Sequence, residues 1–199
     1  MRNNGVIGIV LAAGRSRRTG EKHKLTLPIG GKTVIEHTVC EMLAVCGNVI
    51  VVLGYNPETI KKILEKYDGV KFVLNEHYDD GMFTSVKAGI SVCNGDKIFI
   101  TPGDYPLIER WVYKKMLNVD GDIVVPRYNG RNGHPVLLRG EIAAKIIDEP
   151  DSSNLKIFIN KMGYKIIEID DEGIILDIDT MEDYENVRSI YERKNFYVG

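Results

Sequence analysis

The chain is poor in cysteine. It has three, Cys40, Cys46 and Cys93, and no two stand in CxxC spacing. An odd number without that spacing gives neither a disulfide framework nor a thiolate zinc site, so a reducing, cytoplasmic setting is expected. Charge of one sign is missing too. The 26 basic and 28 acidic residues leave a formal charge of -2, with no basic surplus for a nucleic-acid or membrane-surface partner. No apolar run approaches the roughly 20 residues of a membrane span. The segment Met1–Gly5 leads into a short apolar run without a small-residue cleavage pattern, and it is expected to belong to the fold. Internal repeats, low-complexity tracts and Pro/Ser-rich linkers are absent, so one domain over residues 1–199 is expected, long enough for a sizeable core. Two nucleotide signatures are also lacking. The opening loop has no G-x-G-x-x-G. Gly31-Lys32-Thr33 ends like a Walker A loop, but Thr26 stands where its first glycine is required.

What the chain does have is concentrated near its start. The apolar run from Val6 breaks at Ala12-Ala13-Gly14 into Arg15-Ser16-Arg17-Arg18-Thr19-Gly20, with Lys24 just beyond. Small residues let backbone N–H groups approach an anion, and arginine and lysine neutralise it, so a strand that opens into such a loop suits a phosphate group. The alternative is an ordinary solvated loop.

The remaining pattern places that loop in a fold. Apolar runs over 6–12, 49–53, 70–74, 97–101, 122–126, 135–138, 164–169 and 174–178 read as strands. Between them lie helical patterns. Thr33 with Glu36 makes a capping box, Asn56-Pro57 starts a second helix, and a third runs over 83–93. A helix carrying Trp111, Val112 and Met116 follows, then helices over 141–147 and 153–162, and a last one capped by Thr180. Alternation of this kind predicts a parallel α/β sheet, and the tightly connected later strands add antiparallel members. In open α/β sheets ligands lie at the carboxyl ends of strands. Gly14 and Asp104 each follow such an end, so the two should flank one crevice.

Asp104, between Gly103 and Tyr105-Pro106, is the first metal candidate, because a hard cation such as Mg²⁺ takes one or two carboxylates plus water and phosphate oxygens. Asp177 and Asp179 alternate across Ile178 and are expected to share one strand face; either could be the second carboxylate. His134 reads as a structural histidine, or as one that orients a substrate or donates a proton. Ser85 could cap its helix and bond a base or ribose.

The ordered set Leu11-Ala12-Ala13-Gly14-x-Ser16-x-Arg18-x-Gly20, Lys24-Leu25, Asn75, Gly81-Met82, Ser85, Gly103-Asp104-x-Pro106, Gly130-Arg131-x-Gly133-His134-Pro135 and Asp177-Ile178-Asp179-Thr180 spans nearly the whole chain. It resembles nucleotidyltransferases of the molybdenum-cofactor type, most of all the molybdenum cofactor cytidylyltransferases. The resemblance implies a single-domain, Rossmann-like three-layer α/β sandwich with a mostly parallel mixed sheet, the nucleotide-diphospho-sugar transferase fold. It implies transfer of NMP from an NTP, with Mg²⁺, onto a small phosphate-bearing acceptor such as molybdopterin, with release of pyrophosphate. The Ala12-Ala13 pair favours CTP. A molybdoenzyme or chaperone would receive the product. Carried over, Lys24, Arg18 and Asp104 are catalytic. Leu11, Ala12, Ala13, Gly14, Arg15, Ser16, Gly54, Asn75, Gly81, Ser85 and Gly103 surround the nucleotide. Tyr105, Gly133 and His134 face the acceptor, and Asp104 with Asp179 holds the metal. Three features depart from the family pattern. Thr19 replaces a methionine, Tyr105 stands where glutamine or methionine is common, and one extra residue precedes Lys24, which leaves Lys22 as the alternative phosphate lysine. The same loop would also serve a nucleotidylyltransferase for a sugar, polyol or lipid-linked phosphate, or a non-catalytic NTP sensor. A metal-dependent glycosyltransferase built on Asp177-x-Asp179 is a further alternative.

Overall fold

The computed structural model describes residues 3–15 and 23–196. Ser16, Arg18, Thr19 and Lys22 lie outside them. The fold is laid around β1 (Asn3–Ala12). Side chains alternate along a strand, and here both sets are apolar. Val6, Val10 and Ala12 join one core cluster, and Ile7, Ile9 and Leu11 join the other. A strand apolar on both faces must be covered on both. At Gly8 the missing side chain matters: an added Cβ would lie 2.0 Å from Met42 Sδ of the helix packed above it.

Parallel partners flank β1 on each side, β4 (Cys46–Leu53) and β6 (Lys97–Pro102). β5 (Val70–Leu74) continues the sheet beyond β4. On the far side come β9 (Val136–Arg139), β7 (Ile123–Tyr128) and β10 (Lys165–Glu168), giving the order β10-β7-β9-β6-β1-β4-β5. β9 runs antiparallel to both neighbours, whereas β10 is parallel to β7. A short β8 (Arg131–Asn132) folds back on β7 through Asn129-Gly130, both at positive φ (46° and 79°). That dipeptide suits the tight hairpin turn joining them.

One face is covered by α1 (Val34–Leu43), α2 (Pro57–Leu64), α4 (Arg110–Leu117) and α7 (Met181–Phe196). The other carries α3 (Met82–Ser91), α5 (Gly140–Ala144) and α6 (Leu155–Met162). The result is the Rossmann-like three-layer α/β arrangement with a mostly parallel mixed sheet. A hairpin of β2 (Pro28–Ile29) and β3 (Lys32–Thr33) leads into α1. The capping box there is formed: Thr33 N donates to Glu36 Oε2 at 2.7 Å. Tyr67 Oη (2.7 Å) and Lys66 Nζ (2.8 Å) also reach this carboxylate. Burial alone would raise its pKa, but the bonds from Lys66, Thr33 and Tyr67 outweigh it and hold the group at about 2. No helix among the described residues is long and apolar enough to cross a membrane.

One expected strand is absent. Residues 174–178 do not pair with the sheet; Glu172–Ile174 is a 3-10 turn. Asp171 accepts from Gly173 N at 2.8 Å and bends the chain, and Ile174 O is taken by His134 N at 2.8 Å. Ile174 and Ile178 are buried all the same. The apolar signal was core packing by an irregular segment, which a sequence pattern does not separate from a strand.

Candidate active site

β4 and β5 extend the sheet to one side of β1, and the chain then crosses to β6 on the other. The carboxyl ends of β1 and β6 therefore border the crevice at the topological switch point. Gly103 N donates to Leu11 O at 2.9 Å, which locks the two strand ends together, and Thr38 Oγ1 donates to Gly103 O at 3.0 Å. On the other side Tyr55 N donates to Ala13 O at 3.0 Å. Gly54 lets the loops close up: an added Cβ would lie 2.7 Å from both Ala13 Cβ and Tyr78 Cβ. Between these ends is a cleft of about 260 Å³. Leu11, Ala12, Ala13, Gly14, Lys24, Ser85 and Asp104 line it, together with Leu25, Tyr78, Met82 and Pro102.

Asp104, Asp177 and Asp179 converge at one end, each with a carboxylate oxygen within 4.8 Å of the others. They meet without the shared strand face expected for Asp177 and Asp179. Instead Ile178, fully buried, donates its N–H to Asp104 O at 3.2 Å and hangs the two aspartates on either side. The next residues cap α7. Thr180 N (2.8 Å) and Asp179 N (3.2 Å) donate to Asp183 Oδ2, and Asp183 N returns a bond to Thr180 Oγ1 at 3.1 Å.

Lys24 stands on a 3-10 turn, Lys24–Thr26, anchored by buried Leu25. Its Nζ lies 2.5 Å from Asp104 Oδ2 and 2.9 Å from Asp179 Oδ1. Burial would lower its pKa, but the Asp104 and Asp179 carboxylates outweigh that and raise it, so the ammonium stays charged. Burial and the charges of Asp104 and Asp179 push the Asp177 carboxyl up. Asp104 Oδ1 is buried and has no hydrogen-bond partner among the described residues. An orphaned buried carboxylate oxygen beside two further carboxylates is what a hard divalent cation would satisfy.

On the other flank Asn75 is buried, and its Nδ2 donates to Thr84 Oγ1 and Ser85 Oγ, both at 2.9 Å. Its Oδ1 accepts from His77 N at 3.0 Å. Gly81, at φ 117°, sits where the chain enters α3. Arg15 does not line the cleft. Its guanidinium pairs with Asp79 and lies 5.6 Å and 5.5 Å from the ring centres of Tyr55 and Tyr78. It ties the end of the Ala12-Ala13-Gly14 turn to the 75–81 loop. Tyr55, Tyr78 and His23, whose ring stacks 6.4 Å from that of Tyr55, are site-border residues the sequence reading did not single out. Tyr55 follows a strand end, which is the one signal that could have found it.

A second cavity of about 520 Å³ shares Leu11, Met82 and Pro102 with the lining of the first. Gly133 and His134 line it with apolar residues of α3, α6 and β9. The ring of Tyr105 lies 4.8 Å from that of His134. Burial lowers the His134 pKa to about 4 despite a bond to the Ile100 backbone, so the imidazole is neutral near pH 7. Burial and the nearby aspartates push the Tyr105 hydroxyl up, so it stays protonated.

The chain is 29% identical over 184 residues to the molybdenum cofactor cytidylyltransferase of Escherichia coli (strain K12), covering 92% of this chain and 95% of that one. It is 29% identical over 134 residues to a probable molybdenum cofactor guanylyltransferase of Methanosarcina acetivorans, covering 65% of this chain and 55% of that one. In fold it is similar to a nucleotidyl transferase from Methanothermobacter thermautotroptrophicus, with a TM-score of 0.85, 24% identity, and coverage of 96% and 100%. Residues 8–162, which hold both strand ends, Lys24 and Asp104, match the MobA-like NTP transferase domain, and the chain belongs to that family.

Proposed function

We propose that the protein transfers CMP from CTP to a small phosphate-bearing acceptor such as molybdopterin and releases pyrophosphate. The observation that carries this reading is the meeting of Lys24 with Asp104, Asp177 and Asp179 beside the small-residue turn Ala12-Ala13-Gly14 at the switch point. One relative matched over most of both chains is named as a cytidylyltransferase, whereas the guanylyltransferase match covers 65% of this chain and 55% of that one, which favours CTP over GTP.

In this reading the β1 end, from Leu11 to Gly14, leaves room for the triphosphate, and Arg15, Ser16 and Arg18, next in the sequence, serve its phosphates. Asn75 and Ser85 present polar groups to the base and ribose, next to Gly54 and Gly81. Gly103 keeps Asp104 close to the β1 end. Asp104 and Asp179 would hold Mg²⁺, with Asp177 as the neighbouring third carboxylate. A bound Mg²⁺ supplies charge neutralisation on the phosphates and the leaving pyrophosphate. Lys24 and Arg18 contribute positive charge to the same oxygens. An acceptor phosphate oxygen, already ionised near neutral pH, attacks the α-phosphorus; the new P–O bond forms as the bond to the β-phosphate oxygen breaks. No proton has to be removed, so positioning and electrostatics suffice. Tyr105, Gly133 and His134 border the acceptor. A neutral His134 and an un-ionised Tyr105 add no negative charge to oppose the incoming phosphate.

The test begins with thermal shifts on CTP, GTP, ATP, UTP and TTP, each with and without Mg²⁺. Pyrophosphate release is then followed with molybdopterin and with sugar and polyol phosphates. CTP with Mg²⁺ is expected to stabilise most, and molybdopterin to support release. Asp104→Asn is expected to lose about a hundredfold or more in turnover while remaining folded. Stabilisation by no NTP, or wild-type turnover in Asp104→Asn, would refute the reading.

A further inference from the structure

Among the described residues, Lys24 pairs with the carboxylates the cation would need. Its Nζ lies against Asp104 Oδ2 and 2.9 Å from Asp179 Oδ1, among three carboxylate oxygens within 4.8 Å of one another. The side chain is only 17% exposed. One ammonium among three carboxylates neutralises part of the charge that would otherwise draw a divalent ion, and it fills the space between two of the three. The second neighbour of this space, the cleft lined by Gly14 and Ala13, lies directly beside Lys24. A triphosphate there would offer the same ammonium a stronger set of oxygens.

We infer that Lys24 holds the cation's place in the nucleotide-free protein and yields it when a nucleotide triphosphate takes the ammonium onto its phosphates. The inference rests on the nucleotidyl-transfer reading for its second half only. Its first half concerns the carboxylates and Lys24 alone. The consequence is an order of events: a divalent ion is accepted together with the nucleotide, and the free protein binds it poorly. An empty, strongly acidic site would otherwise collect any divalent ion in its surroundings. An internal ammonium screens the site until the substrate arrives.

The experiment is Mn²⁺ binding, read by the loss of free-ion electron paramagnetic resonance signal, on wild type, Lys24→Met and Lys24→Gln. Each is measured alone and with α,β-methylene CTP, which cannot transfer. Removing one positive charge at these distances is expected to tighten Mn²⁺ binding by about tenfold or more in both variants without nucleotide. In wild type the analogue is expected to tighten Mn²⁺ binding by a similar factor; in the variants that gain shrinks. Wild-type Mn²⁺ affinity in both folded variants overturns the inference. A second readout needs no variant. Saturating Mn²⁺ is expected to increase labelling of Lys24 by an amine reagent, read by mass spectrometry, because the displaced ammonium loses its partners. Labelling unchanged by saturating Mn²⁺ overturns the inference as well. If the analogue fails to bind wild type, the cytidylyltransferase reading falls, and the nucleotide-free comparison still decides whether Lys24 holds the cation's place.

Discussion

Asp177→Asn should make the metal-free protein more stable and the loaded protein less so. The side chain sits with its carboxylate within 4.8 Å of those of Asp104 and Asp179, and those two charges help push its pKa up. Two like charges about 4 Å apart repel by about 1 kcal/mol in water and about 4 kcal/mol at the effective dielectric of a protein surface. Asp177 feels two such repulsions. Lys24 offsets part of them, although its contacts go to Asp104 and Asp179. The amide keeps the shape and removes the charge, so a net gain of about 1 kcal/mol is expected, or about 2–4 °C in melting temperature for a chain of this size. The assay is thermal unfolding in EDTA and again with Mg²⁺ plus α,β-methylene CTP. Linkage stabilises the state that binds. With a cation that needs these carboxylates, wild type should gain more than the variant, and the order should reverse. A variant less stable than wild type in EDTA would refute the argument from mutual repulsion. An equal gain on loading would show that Asp177 takes no part in holding the cation.

Two other perturbations test the frame. Glu36→Gln removes a carboxylate held at about 2 against an ordinary 4.5. A depressed acid stabilises above its unfolded pKa and loses that contribution as pH falls through the folded one. Wild type should therefore exceed the variant by about 2 kcal/mol near neutral pH, with the gap closing between about pH 4.5 and 2; urea midpoints across that range check it, and a pH-independent gap would contradict it. Gly54→Ala puts a Cβ 2.7 Å from Ala13 Cβ and Tyr78 Cβ. The expected cost is about 1–3 kcal/mol of stability, together with a clear loss of affinity for the CTP analogue by calorimetry. Unchanged affinity would mean that the two loops separate without disturbing the cleft.

Much of this site was legible because its residues sit where strands end. β1, the break at Ala12-Ala13-Gly14 and the turn at Gly103-Asp104 follow from apolar runs and small residues, and the rule for parallel sheets then puts them side by side. The capping pair Thr33 and Glu36 was equally visible, since it depends on spacing alone. Asp177 and Asp179 were found for a reason that does not hold. Their i, i+2 spacing suggested a strand, whereas a buried Ile178 and one backbone bond to Asp104 O bring both to the site. The contacts of Arg15 were not legible. A long side chain chooses among distant partners, and Asp79 lies 64 positions away in sequence. Tyr55 and Tyr78 were overlooked for the same reason, being brought together by the close approach at Gly54.

The two halves of the crevice are held in different ways, and this bears on which of them can vary. Around the ends of β1 and β6, backbone bonds fix the charged positions: Gly103 N to Leu11 O, Tyr55 N to Ala13 O and Ile178 N to Asp104 O. Substitution of side chains other than at Gly54 and Gly103, where an added Cβ would crowd these loops, leaves those bonds in place and with them the positions of Asp104, Asp177 and Asp179. A site whose work is electrostatic needs that rigidity, because misplaced charges lose their effect within about an ångström. On the other side, the backbone of Gly133 and His134 is likewise held, by Pro126 O and Ile174 O, but the wall of the apolar cavity is shaped by side chains, with Tyr105 and His134 meeting ring to ring. Substitution there reshapes the cavity without moving the carboxylates. Under the proposed reading, a change of acceptor is therefore cheap for this fold and a change of phosphate chemistry is not. Exchanging Tyr105 should alter which acceptor supports pyrophosphate release while leaving CTP-induced stabilisation as it is in wild type. A Tyr105 variant that lost CTP stabilisation would show that the two sides are mechanically coupled.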